Sequence, residues 1–332
     1  MKLSLKIHLF ILTVLFVNGQ SYTGSASFLK RGMSARAIGL GSAYTAVVDD
    51  ASATFWNPAG LLNSGGFNLQ ISDLQDNLMS FGDVNSPQFA FSHSFRKPLL
   101  KRIYWAFGVS ANGYFVKDID QYDFESNYEG SFNYGEYAIF LSTAFKVRFI
   151  KLGFTWKFIE QNFGLDDPFI QNNRKSLVRK PHDLGILFNP VDFLTVGMIV
   201  RDSIKIGFYD TYPKSRQLGL KLDLNALKPT FPHFILAADI IVIQQSMNKW
   251  NTGLEFEHLF NDNLSVSIRG GLSNMLFGMK HKNINEITQL NRKLALGFGI
   301  NYKKVKIDLA WVQEIVQNPY SRFLVWTFSS EP

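Results

Sequence analysis

From residue 67 onward the chain alternates apolar residues with small or polar ones at a period of two. In 294–302, Leu294, Leu296, Phe298, Ile300 and Tyr302 share one face, while Ala295, Gly297, Gly299 and Asn301 share the other. The pattern restarts after Lys303, where Val305, Ile307, Leu309 and Trp311 alternate with Lys306, Asp308 and Ala310. Leu152, Phe154, Trp156 and Phe158 alternate in the same way with Lys151, Gly153, Thr155 and Lys157. Leu218, Leu220, Leu222 and Leu224 are set against Gly219, Lys221 and Asp223, and Leu264, Val266 and Ile268 against Ser265, Ser267 and Arg269. Ile103, Trp105, Phe107 and Val109 do the same. A period of two puts neighbouring side chains on opposite sides of an extended strand, so each segment is a strand with one apolar face.

The repeat predicts fourteen strands: 67–72, 88–95, 102–111, 136–147, 150–160, 182–189, 193–201, 216–224, 234–243, 250–258, 264–270, 293–302, 304–312 and 321–329. A soluble sandwich alternates similarly, but three features favour a barrel that crosses a membrane. The strands run longer than the five or six residues usual in soluble sheets. Aromatic residues sit near strand ends on the apolar face (Tyr302, Trp311, Trp105, Trp250, Trp326), where an interfacial girdle would lie. The connections alternate in length. Those at 73–87, 112–135, 161–181, 202–215 and 271–292 are long, whereas Arg148–Phe149, Pro190–Asp192, Leu259–Asn263 and Lys303 are tight. Short periplasmic turns, long external loops, an even strand count and periplasmic termini give that alternation. Closure follows from physics, because an open sheet edge in lipid leaves backbone groups unpaired. The expected fold class is therefore all-β: a transmembrane outer-membrane β-barrel of about 14 antiparallel strands.

The N-terminus reads as an export signal. Lys2 and Lys6 precede an eleven-residue apolar run, Ile7–Val17, and Val17-Asn18-Gly19 supplies tolerable cleavage residues. The run is too short to span a bilayer as a helix. The expected organisation is a signal peptide at 1–19, an N-terminal segment at 20–65 that plugs the lumen, and the barrel at 66–332.

Composition sharpens this picture. Of 332 residues, 49 are aromatic (31 Phe, 12 Tyr, 6 Trp), yet the mean hydropathy is near zero. A barrel explains both: the apolar inventory lies on one face, and the Gly-rich polar face balances it. The chain has no Cys, which excludes disulfides, thiolate metal sites and a Cys nucleophile. The net charge of +7 falls to +5 without Lys2 and Lys6, and no basic run of five follows, so no nucleic-acid partner is expected.

Residues 28–62 carry the sharpest motif, FLKRGMSARAIGLGSAYTAVVDDASATFWNPAGLL. Asn57-Pro58-Ala59-Gly60 is a turn, with Pro58 fixing φ. Gly39, Gly41, Ser42 and Ala43 allow close packing against other backbone. A fourteen-stranded barrel encloses a lumen too wide for its own side chains to fill, so a plug is expected. This run, with Phe28-Leu29-Lys30, Ala35-Arg36, Gly39-x-Gly41-x-Ala43, Ala46-Val47, Asp49-Asp50-Ala51-Ser52-Ala53 and Trp56-Asn57-Pro58-Ala59-Gly60-Leu61, resembles the signature of the PorV/PorQ family within the wider FadL-like group. The likeness continues less specifically through 294–304 and the last strand. One departure is the C-terminus: four residues follow Phe328, where such barrels usually end on an aromatic.

The resemblance implies a 14-stranded barrel with its N-terminal segment in the lumen, in the bacterial outer membrane. For PorV-like members it implies a role in type IX secretion, receiving substrates with a C-terminal signal for attachment to the cell surface. The expected partners on that reading are outer-membrane lipid, secreted proteins and secretion-machinery components. The alternative is a FadL-like transporter of long-chain fatty acids or other hydrophobic small molecules. Aromatics in 112–135 (Tyr122, Phe124, Tyr128, Phe132, Tyr134) would serve either as a binding surface.

Other chemistry is sparse. The third Gly of a dinucleotide loop after Gly39-x-Gly41 is replaced by Tyr44. The six His lack ligand spacing, so no metal or other cofactor is expected. Asp49-Asp50 is read as a turn or a partner of Arg36 rather than a cation site, and Asp166-Asp167 as a solvated turn. Gly108, Gly153, Gly197, Gly219, Gly253 and Gly297 recur on inward faces, either as room for a ligand or moving plug, or as sites of close packing or curvature. Nothing places a nucleophile beside a base, so no enzymatic activity is expected. The candidate residues are those of the plug motif: Arg36, Gly39, Gly41, Asp49, Asp50, Trp56, Asn57, Pro58 and Gly60.

Overall fold

The computed structural model describes residues 29, 31–76, 84–95, 97–99, 103–123, 125–163, 182–201, 215–228, 232–243, 248–276, 292–315 and 322–330. The export signal at 1–19, Phe28, Lys30, Phe124 and Asp166-Asp167 lie outside these residues, as do 164–181, 202–214 and 277–291 of the expected connections.

A short helix α1 (Ala35–Gly39), a second, α2 (Ala53–Trp56), and a 3₁₀ turn (Pro58–Asn63) precede fourteen strands. These are β1 (Phe67–Asp76), β2 (Val84–Ser94), β3 (Ile103–Tyr122), β4 (Tyr128–Val147), β5 (Ile150–Phe163), β6 (His182–Val191) and β7 (Leu194–Arg201). They continue as β8 (Ser215–Asp223), β9 (His233–Ile243), β10 (Lys249–Asn261), β11 (Leu264–Leu276), β12 (Lys293–Tyr302), β13 (Val305–Glu314) and β14 (Arg322–Ser330). One helical turn, α3 (Leu224–Leu227), follows β8. Each strand pairs antiparallel with its sequence neighbours, and β14 pairs with β1, from Leu69 opposite Ser330 to Asp76 opposite Phe323. The sheet is a closed ring. All fourteen strands read from the alternation are present.

Closure gives each strand an outside and an inside, and the alternation sorts residues between them. On β12, Leu296, Phe298 and Ile300 are exposed outward while Ala295, Gly297 and Gly299 are buried inward. On β13, Ile307, Leu309 and Trp311 are exposed, and Asp308, Ala310 and Val312 are buried. Ile268, at 59% exposure, and Phe328 and Leu324 belong to the same outer belt. Large apolar side chains exposed in such number would be untenable in water, and they match the outer face of a membrane barrel.

The tight connections are at one end of the ring. Two residues join β4 to β5, β6 to β7, β10 to β11 and β12 to β13. Arg148 and Lys303 take φ of 58°, the left-handed geometry that lets a two-residue turn follow strand twist. The opposite end differs from expectation in that strands enter the segments read as loops: β1 reaches Asp76, β2 starts at Val84, β5 reaches Phe163 and β11 reaches Leu276, and the difference is largest between β3 and β4. Most of 112–135, read as a loop, is strand: β3 and β4 run for 20 residues each and leave only 123–127 as the connection. The alternation stops being apolar near Lys117, Asp118 and Asp120, so the outer row fades, but backbone pairing needs no apolar face and continues to Tyr122 opposite Tyr128. A register shift between Val116 and Ile119, with Asp118 at φ 55°, marks the break.

Candidate functional site: the segment inside the ring

Residues 33–61 are almost wholly buried, although they belong to no strand. Their partners go right round the ring, from Gln88 on β2 to Thr327 on β14, so the segment lies inside the barrel. Several of the inward glycines show how closely it sits. A Cβ on Gly197 would stand 2.6 Å from the Thr45 carbonyl oxygen, and one on Gly108 2.7 Å from the Thr54 methyl. On Gly153 it would overlap the Ala59 amide nitrogen, and on Gly253 the Leu40 carbonyl. These glycines face the segment because its backbone presses on the wall, which selects close packing over open ligand space.

Arg36, the basic residue of α1, is the hub. Its Nε donates to Glu255 Oε2 at 2.9 Å and its Nη2 to Oε1 at 2.8 Å, a bidentate pair from α1 to β10. Its Nη1 donates to Asp49 Oδ1 at 2.5 Å and to the Tyr44 hydroxyl at 3.2 Å. Glu255 also accepts from Arg269 Nε on β11, and Arg269 Nη1 donates to Asp308 on β13 at 2.6 Å. The chain Asp49–Arg36–Glu255–Arg269–Asp308 thus alternates in sign. Burial opposes the Arg36 charge, yet Asp49 and Glu255 hold the guanidinium protonated well beyond its ordinary range. Tyr44 donates to Asp50 Oδ2 at 3.0 Å, and Asp50 also accepts from Ser52. Burial first, then the adjacent Asp49, pushes the Asp50 carboxyl above the usual carboxylate range.

Two further anchors use charged wall residues. Asp239 on β9 accepts from the amides of Tyr44 and Thr45, each at 3.0 Å. Arg201 on β7 donates to the carbonyls of Phe55 at 2.7 Å and Trp56 at 3.1 Å, which caps the open end of α2. Arg201 shares Asp183 with Lys157, which lies 2.8 Å from it.

The remaining motif residues are structural parts of this segment. Trp56 packs edge-on against Phe55 and Tyr44 and donates to the Met33 carbonyl at 2.8 Å. Asn57 donates to the Thr45 carbonyl and to Ile186 on β6, while its Oδ1 caps Ala59 at 3.2 Å. Pro58 opens the 3₁₀ turn and abuts Gly185. Gly60 has no room for a side chain, with the Val48 carbonyl oxygen 2.8 Å from a built Cβ. Gly41, at φ 62°, presses on β11, where a Cβ would stand 2.6 Å from the Leu272 nitrogen. A Cβ on Gly39 would stand 3.1 Å from the Gly297 Cα.

The structure therefore joins Arg36, Asp49, Asp50 and Tyr44 in one cluster and leaves Gly39, Gly41, Trp56, Asn57, Pro58 and Gly60 as packing and turn positions. Sequence reasoning missed Glu255, Asp239, Arg201 and the cluster role of Arg269. For Asp239, Glu255 and Arg269 the signal was a charge at an inward position beside a small residue (Ala237, Gly253, Gly271); Arg201, beside Ile199, had no such signal. Among the described residues no group of three or more His, Asp and Glu is arranged to hold a metal ion.

No known protein-family profile and no curated protein matches the chain. Solved structures do resemble it. The Pseudomonas putida toluene transporter TodX aligns with a TM-score of 0.55 at 14% identity, covering 91% of this chain and 99% of that one. The monoaromatic hydrocarbon channel CymD aligns with a TM-score of 0.57 at 13% identity, covering 91% and 98%. At that identity the likeness shows a shared fold: a closed barrel over nearly the whole chain.

Proposed function

We propose that the chain is an outer-membrane barrel that admits hydrophobic solutes, with the segment inside the ring as its plug. The observation that carries this reading is the barrel match to TodX and CymD across nine-tenths of the chain. The outer belt of Leu296, Phe298, Ile307 and Leu309 supports insertion in lipid. On this reading the protein binds and passes its solute without a covalent step. Deletion should lower uptake of a labelled long-chain fatty acid or toluene by intact cells, and the wild-type gene should restore it; unchanged uptake of both would reject the proposal. Membrane insertion is checked separately, by heat-modifiable gel migration of the outer-membrane fraction.

A second reading is secretion-linked surface attachment of the PorV type. The motif in 28–62 favours it, as does the extended β3–β4 hairpin, whose tip exposes Tyr122 and Tyr128 with ring centroids 5.7 Å apart. A deletion strain whose surface proteome matches its parent's would exclude it.

A further inference from the structure

The wall formed by β1–β3 carries buried polar groups that the inner segment leaves unsatisfied. Along β2 the inward residues are Ser86, Gln88, Ala90, Ser92 and Ser94, all buried. The register sets Gln70 of β1 opposite Ala90, and Ala90 opposite Ser110 of β3. Ser92 is one inward step from Ala90 along β2; Asn112 is one inward step from Ser110, opposite Gln88. Gln70, Ser92 and Asn112 are thus neighbours of one small residue, across the ladder, along the strand and on the diagonal. Gln70 and Asn112 are 1% exposed and Ser92 0%. Among the described residues Gln70 Oε1, Ser92 Oγ and Asn112 Nδ2 have no hydrogen-bond partner. Other polar side chains of this wall are engaged: Gln88 with Gly32 and Ser34, Ser110 with Thr54, and Asn68 with the Ser64 carbonyl.

A buried polar atom without a partner is costly, and this wall holds three side by side. A carbonyl acceptor, a hydroxyl and an amide donor together complement a neutral hydroxyl, which both donates and accepts. Inward positions 68–74, 84–94 and 106–112 carry no charge, so an ionised group would meet no counter-charge beside Gln70 and Ser92. At the external end of the row Arg31 lies over the Tyr114 ring at 4.8 Å. Glu136, opposite Tyr114, accepts from the Tyr134 hydroxyl, so each sign is present there once. The bonds from this wall to the segment are neutral. They exchange with water or a solute at less cost than the ion pair from Arg36 to β10. We infer that solutes pass between the segment and β1–β3, where Gln70, Ser92 and Asn112 hydrogen-bond a neutral hydroxyl on the solute. The inference rests on the hydrophobic-solute reading and deepens it: the wall favours hydroxyl-bearing hydrophobic compounds over bare hydrocarbons.

The test compares uptake of labelled p-cresol and labelled toluene, which differ by one hydroxyl, in deletion cells carrying the full-length protein or a variant. Ser92→Ala removes a hydroxyl that has no partner to lose, so the barrel should fold as before, as checked by heat-modifiable migration. It should lower p-cresol uptake by about threefold or more and leave toluene uptake within about 1.5-fold. Gln70→Leu and Asn112→Leu should shift the ratio of the two solutes in the same direction. Ser265→Ala, at an inward serine of β11 bonded to Glu257, should leave that ratio unchanged. A wild-type ratio in folded Ser92→Ala and Asn112→Leu would mean that these groups hold only water, and would overturn the inference while leaving the transporter reading intact. If the deletion alters uptake of neither solute, the transporter reading fails and takes the inference with it.

Discussion

The inner segment touches two unlike walls. On β9, β10, β11 and β13 the inward residues that meet it or support those that do include four buried charges: Asp239, Glu255, Arg269 and Asp308. On β1–β3 the inward positions 68–74, 84–94 and 104–112 carry no charge; they present Asn68, Gln70, Ser72, Ser86, Gln88, Ser92, Ser110 and Asn112. Gln88 bonds the Gly32 carbonyl at 2.9 Å and the Ser34 amide at 3.3 Å, and Ser110 accepts from Thr54 at 2.7 Å. Both walls satisfy the segment, but with different stakes. A bond to a charged group contributes roughly 1.5–3 kcal/mol and a neutral one about 0.5–1.5. An orphaned buried charge costs far more than an orphaned amide. The charged wall therefore fixes where the segment sits, and the neutral wall fits whatever position the other sets.

The largest expected effect comes from breaking the charged wall. Glu255→Ala removes the carboxylate shared by Arg36 and Arg269, leaving them side by side with only Asp49 and Asp308 as counter-charges, and should cost about 3–5 kcal/mol in urea unfolding of the detergent-folded barrel. A cost below about 1 kcal/mol for Glu255→Ala would contradict the division of labour between walls.

Next comes backbone contact. A Cβ on Gly271 would overlap the Gly41 amide, whereas one on Gly270, facing outward, meets nothing within 4 Å. Gly271→Ala should destabilise by about 1–3 kcal/mol and Gly270→Ala by roughly nothing. Equal behaviour of the two variants would remove the segment from that wall. On the neutral side, Gln88→Ala should cost about 1 kcal/mol, well short of the Glu255 change.

The smallest effect is a pH slope. Because the Asp50 carboxyl is raised in the folded state, the fold holds that proton more tightly than the unfolded chain does. Its favourable contribution is present below the ordinary carboxylate range and fades as pH rises through the folded value. Asp50→Asn should flatten that part of the stability profile between acid and neutral pH, as read by unfolding at several pH values; an unaltered slope would assign it elsewhere.

The fourteen strands were legible because each has an outward row that must be apolar, and period two displays that row directly. Their ends were not, where Lys117, Asp118 and Asp120 carry the strand beyond its apolar belt. The glycines at 108, 153, 197 and 253 announced a close neighbour without naming it. The pairing of Arg36 with Asp49 is local enough to read, 13 residues apart, and the structure has it. Glu255 is 219 residues from Arg36, and Asp239 is 195 from Tyr44; only the curvature of the closed ring brings such residues together. No local pattern encodes that curvature.

The seam between β1 and β14 has a consequence in time. Leu69 on the first strand pairs with Ser330 on β14, so the ring cannot shut until all fourteen strands have been made. The buried segment is made first and ends up enclosed by strands made after it. It cannot be threaded in sideways once the seam has closed, so the sheet has to wrap around it or admit it through a mouth. In this protein the filling precedes the wall along the chain, and the stave that shuts it in is the fourteenth.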